Sequence, residues 1–142
     1  MPTARDVAQY LLEKMGPLTT IKLQKLVYYC QAWSLVWDDA PLFEDEIQAW
    51  ANGPVVPDLF FAHQGKFSVD SIPEGDSSKL NAAQRETVNA IIRDYGKKNS
   101  QWLVELTHME DPWKNARGAC KAGARCTREI TLASMADYYS GL

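Results

Sequence analysis

The side chains able to do chemistry are few, and their spacing suits it poorly. His63 and His108 are the two histidines. His108 stands beside Glu110 and Asp111, five residues before Trp113. An imidazole next to carboxylates is what general acid–base catalysis uses. A structural histidine bonded to a neighbouring loop looks the same in sequence. Cys120 and Cys126 have five residues between them, with His108 twelve before the first; zinc sites draw on closer pairs. No cysteine carries a nearby histidine motif that would make it a nucleophile. The eight glycines form no phosphate-binding fingerprint. Glu13, Glu44, Glu46, Glu105 and Glu110 single out no carboxylate pair. The expectation is a protein without metal, cofactor or catalytic activity. Of the five tryptophans, which could stack on bases, only Trp113 lies among basic residues.

The segment that stands out is Trp50-Ala51-Asn52-Gly53-Pro54-Val55-Val56-Pro57. Two prolines and a glycine fix a backbone path between two apolar pieces. One reading is a rigid corner that supports the fold. The other is a preorganised surface presenting Trp50, Asn52, Gly53, Pro54, Val55 and Val56 to a partner, where rigidity lowers the entropic cost of binding. Charge is segregated around it. No Lys or Arg occurs between Lys25 and Lys66, a stretch holding Asp38, Asp39, Glu44, Asp45, Glu46 and Asp58. No acid occurs between Pro112 and Arg128, a stretch holding Lys114, Arg117, Lys121 and Arg125. These are either two solvated loops or two complementary docking surfaces. In the second case Glu44 and Glu46 extend the corner, and Trp113 and Arg117 give a second contact with hot-spot residue types.

The elements that must position these residues are helical. Thr3 and Asp6 have capping-box spacing for a helix to about Met15, ended by Gly16-Pro17. Thr19 or Thr20 caps a second helix to about Trp37. Its apolar residues run almost all the way round, which marks a central helix. Lys22, Lys25, Tyr29 and Gln31 suit its exposed edge. Ile47–Trp50 reads as a strand or a helical turn, and Val55 to about His63 as a helix. Gly65–Ser78 reads as a long mobile loop. Further helices are expected over Ala82–Tyr95, from Ser100 to the stop at Asp111-Pro112, and from Thr131 onward. Trp113–Arg128 reads as irregular and basic. The layout is mostly α, with about six helices and at most two very short strands.

A chain of 142 residues fits one domain, residues 1–142, large enough for a core without disulfides or metals. A hydrophobic fraction of 46% and an aromatic fraction of 11% argue against disorder. The net charge of −3 predicts no nucleic-acid partner, and no run approaches the ~18 apolar residues of a membrane span. Three cysteines and no signal layout at the N-terminus predict free thiols in the cytoplasm.

Several motifs in order resemble the Panacea antitoxin domain family, which includes the phage-associated and SocA-like antitoxins. They are Lys22-Leu23-Gln24-Lys25-Leu26-Val27-Tyr28-Tyr29, Gln31-Ala32-Trp33, Pro41-Leu42-Phe43, Glu46-Ile47-Gln48-Ala49-Trp50 and Gly53-Pro54-Val55-Val56-Pro57. The likeness continues more loosely through Trp102, Leu106, Thr107-His108, Pro112-Trp113 and Ile130–Tyr139. It implies a helical antitoxin of a toxin–antitoxin system, active in phage defence, that neutralises a co-encoded toxin by direct contact. An adaptor delivering the toxin to a protease is the alternative, and a small enzyme using His108 a further one. Many members carry an added N-terminal segment, sometimes DNA-binding, whereas this chain starts almost at the domain. Relatives often have a histidine after the second-helix tryptophan, where this chain has Ser34.

Overall fold

A computed structural model describes residues Met1–Leu142. Its first helix, α1 (Ala4–Met15), has the capping box that the sequence predicts. The Thr3 hydroxyl accepts from the Asp6 amide, and the Asp6 carboxylate accepts from the Thr3 amide at 2.8 Å. Strand β1 (Leu18–Thr19) leads into α2 (Thr20–Trp37), whose cap is Thr19. Then come β2 (Gln48–Trp50), β3 (Gly53–Val55), α3 (Pro57–His63) and β4 (Ser68–Val69). A single 3-10 turn at Ser77–Lys79 precedes α4 (Ala82–Tyr95), α5 (Ser100–Met109), α6 (Asp111–Arg117) and α7 (Leu132–Ser140).

The mostly helical class holds. There are seven α-helices, against about six expected, and four strands of two or three residues, against at most two. The added helix is α6. Asp111-Pro112 does end α5, but proline is also favourable in a first helical turn, so the same dipeptide starts α6. The strands form two antiparallel pairs, β1 with β4 and β2 with β3. Each is too short to show an alternating pattern in sequence.

Helix α2 is the axis of the molecule, packed by α1, α4, α5 and α7. This encirclement corrects one expectation. Lys25, Tyr29 and Gln31 do not lie on an exposed edge but are buried. A buried polar group needs a partner, and each of the three has one. The Gln31 amide donates to Phe43 O at 2.7 Å and its carbonyl accepts from Leu42 N at 2.7 Å. That exchange seats Pro41-Leu42-Phe43 against α2. Tyr29 reaches Glu110, and Lys25 reaches the corner described below.

Glu110, at the α5–α6 junction, ties three helices together. Its Oε1 accepts from the Tyr29 hydroxyl at 2.6 Å and the Tyr139 hydroxyl at 2.8 Å. Tyr139 also shares a 3.0 Å hydrogen bond with Tyr28. Burial pushes the Glu110 carboxyl up, and the two hydroxyls oppose that shift. The Gly65–Ser78 segment, read as a mobile loop, is fastened to α1. Ile72 N donates to Gln9 at 2.9 Å and Asp76 N to Asp6 at 2.8 Å, while Val69 and Ile72 are buried.

Candidate partner-binding surface

The Trp50–Pro57 corner is a β-hairpin, β2–β3, gripped from below by α2. The Gln24 carbonyl accepts from Val56 N at 2.9 Å, and its amide donates to Val56 O at 3.3 Å. The Lys25 ammonium donates to Pro54 O at 2.9 Å. At the turn, Gly53 has φ +113, a conformation that L side chains rarely adopt. A Cβ there would also come within 2.5 Å of Lys25 Cε. The corner motif and the Gln24-Lys25 motif are therefore one device. Two polar side chains on the central helix clamp the backbone of a rigid turn.

A second clamp comes from α6. The Arg117 guanidinium is buried and donates to three backbone carbonyls: Ala49 at 3.0 Å, Lys121 at 2.7 Å and Ala124 at 2.9 Å. The Trp113 indole donates to Trp50 O at 2.8 Å. Trp113 stacks on His108 with ring centres 4.0 Å apart. The His108 pKa is lowered by burial and by the nearby Lys25 charge, while a bond to the Ala51 backbone opposes the shift. His108 Nε2 is buried without a partner. His108 thus braces the corner, and no carboxylate hydrogen-bonds its ring.

The structure sorts the sequence-derived contact residues into two sets. Trp50 is half-buried, and Asn52, Glu44 and Glu46 are exposed. Glu46 and Trp50 are joined through Gln48, which donates to Glu46 at 3.2 Å and accepts from the Trp50 indole at 2.8 Å. Gly53, Pro54, Val55 and Val56 lie inside, with Val55 8% and Val56 1% exposed. Their burial fits the rigid-corner reading for Gly53, Pro54 and Val56, while Val55 also reaches the wall of the cleft beside Trp50. Arg117 is spent on carbonyls, and Trp113 is half-buried as its neighbour. These six residues shape the surface from beneath. Cys120 and Cys126, expected as free thiols, are joined as a disulfide. Folding the basic loop back onto Arg117 brings their Cα atoms within 6.1 Å.

Sequence reasoning missed the aromatic partners of Trp50. Its ring meets Phe60 edge-on at 5.0 Å, and Phe60 meets Phe61 at 6.2 Å. Phe61 is 67% exposed. Trp50 and Phe60 stand between two clefts. One, of about 220 Å³, is walled by Ile21, Lys25, Val55 and His63 among others. The other, of about 470 Å³, has Gln64, Arg125, Cys126 and Thr127 in its wall. Neither is lined by an Asp or Glu. Two consecutive phenylalanines, Phe60 and Phe61, on a short helix are the signal that the sequence offers for this face.

Lys25 is wholly buried, and burial holds its ammonium down to about 7. The unfolded chain keeps an ordinary lysine, so between about pH 7 and 10 it binds more protons than the folded chain. Over that window the lysine contributes stability that rises with pH. The stability advantage of Lys25→Met over the parent is therefore expected to shrink as pH rises from 7 to 10, in parallel urea titrations. Comparing the two proteins cancels the opposite trend from the Cys30 thiol and the buried tyrosines, which burial pushes up. A pH-independent difference would contradict the burial of this charge.

A family model for the SocA-like antitoxin, Panacea domain, matches residues 23–114, and the chain belongs to that family. The match begins within α2, takes in the Gln24-Lys25 clamp and the hairpin, and ends midway through α6. Among curated proteins, the chain is 28% identical over 127 residues to Antitoxin SocA of Caulobacter vibrioides (strain NA1000 / CB15N). That alignment covers 78% of this chain and 68% of the relative. No solved structure matches. No helix is long and apolar enough to cross a membrane.

Proposed function

We propose that this protein is an antitoxin that neutralises a toxin encoded beside it, by direct protein–protein contact over the Trp50–Phe60–Phe61 face. The observation that carries the contact site is that face itself. Three aromatic rings run from a clamped hairpin to an exposed helix surface, with a cleft on each side of Trp50 and Phe60. Aromatic anchors on a preorganised backbone bind with little ordering cost. An exposed aromatic such as Phe61 gains most from being covered. Exposed Glu44 and Glu46 flank the hairpin and would steer a basic partner and select among partners. Family membership supports the antitoxin role.

The test is complex formation between the purified chain and the product of the adjacent gene. Phe61→Asp places a charge in the aromatic face at an exposed position. It is expected to keep the parental melting temperature within a few degrees and to weaken binding at least tenfold, as read by size exclusion and titration calorimetry. Paired reversal of Glu44 and Glu46 to lysine should slow association and reduce its salt dependence. If Phe61→Asp binds as the parent does, the face is wrong.

A further inference from the structure

We infer that the cleft beside Trp50 is a ligand site for a carboxylate carried on an apolar or aromatic body, with Lys25 as the receiving cation. The Lys25 side chain is 1% exposed, yet it forms part of the cleft wall. Its ammonium has three N–H donors and one hydrogen bond, to Pro54 O at 2.9 Å. No carboxylate lies within salt-bridge reach of it. Burying a charge is costly unless it is paired. Pinning one carbonyl uses one of the three N–H donors and leaves the charge itself unpaired. An uncompensated cation at the wall of a cleft is the complement of an anion.

The other polar groups of the cleft do not compete for that role. The Gln24 amide donates to Val56 O and hydrogen-bonds His63 Nε2 at 3.0 Å, so Gln24 and His63 hold each other. Burial lowers the His63 pKa, which favours a neutral ring. Asn52, exposed at the rim, makes no side-chain hydrogen bond within the chain. The remaining wall selects the ligand's body: Trp50 and Phe60 offer ring faces and edges, Ile21 and Val55 aliphatic surface. A volume of about 220 Å³ is large enough to admit one such group. A doubly charged anion finds only one cation here, and an amine or guanidinium is repelled.

The test follows the Trp50 indole N–H and the Val55 methyls by NMR at pH 6.5, using the full chain. The probes are 3-phenylpropionate, its neutral amide, and a dipeptide ending in phenylalanine with a free or amidated C-terminus. The acids are expected to shift those signals saturably, and the amides to bind at least tenfold more weakly or not at all. Lys25→Met should lose the preference for acid over amide. Tighter binding of the dipeptide acid identifies a peptide C-terminus as the natural ligand, and tighter binding of phenylpropionate a free acid. Equal binding of acid and amide to the parent overturns the inference whether or not the variant folds, and so does an absence of shifts with either acid. No toxin enters this assay, so it succeeds or fails independently of the antitoxin reading.

Discussion

Replacing Leu26 with aspartate is expected to abolish cooperative folding. Leu26 is fully buried in the middle of α2, the helix that α1, α4, α5 and α7 pack around. An aspartate there either ionises without a partner or takes up a proton and leaves a carboxyl group unbonded. It also removes most of the roughly 1.5–3 kcal/mol that a buried leucine contributes. The sum is several kcal/mol, a large part of the 5–15 kcal/mol by which domains are usually stable. Leu26→Met, which keeps volume and polarity, should lose less than about 1.5 kcal/mol. Thermal melting by circular dichroism separates the two. A soluble Leu26→Asp protein with an unchanged cooperative melt would remove α2 from the centre of the fold.

Glu110 gives the second large effect. Glu110→Ala is expected to destabilise by about 3–5 kcal/mol, because it strips the acceptor from two buried tyrosine hydroxyls at once. Tyr29 and Tyr139 are both fully buried, so water cannot substitute without opening the core. Both bonds go to the same oxygen, Oε1. Glu110→Gln retains a carbonyl oxygen at that place and should recover more than half of the loss. Urea denaturation of the three proteins decides it. Equal losses for the alanine and glutamine variants would mean that charge, rather than the shared acceptor, holds the three helices.

The helices were legible because their signals are local. Thr3 with Asp6 caps α1 and Thr19 caps α2, as their positions in the sequence predict. The apolar circumference of α2 correctly marked it as central. What it could not show is that the few polar residues on α2 are also inside. Lys25, Tyr29 and Gln31 look like an exposed edge because helical periodicity records only polarity, not the partner that satisfies it. Their partners lie 12 to 81 residues away, at Phe43, Pro54 and Glu110. The same blindness explains Arg117. In sequence it is one charge in a basic run, and in the fold it is a buried clip on three carbonyls.

The corner was legible as a rigid element but not in its orientation. Gly53, Pro54, Val55 and Val56 fix the path, and α2 then decides which side faces inward. Trp50, Asn52, Glu44 and Glu46 remain at the surface, Val56 does not, and Val55 shows only in the cleft wall. Phe60 and Phe61 are adjacent on one short helix, and adjacency alone does not show which ring faces out. A seven-residue helix beginning at Pro57 is too short to bury every side.

The central claim is that the aromatic face neutralises a toxin, and growth rescue measures that most directly. The neighbouring gene is induced in a host cell with the parent, Phe61→Asp or Lys25→Met chain supplied in trans at equal, immunoblotted levels. The parent is expected to restore growth, and Phe61→Asp to fail although it accumulates folded. Lys25→Met, which alters the cleft wall and leaves the exposed rings in place, is expected to retain at least partial rescue. Full rescue by Phe61→Asp, or no rescue by the parent against a neighbour that is itself toxic, would contradict the account.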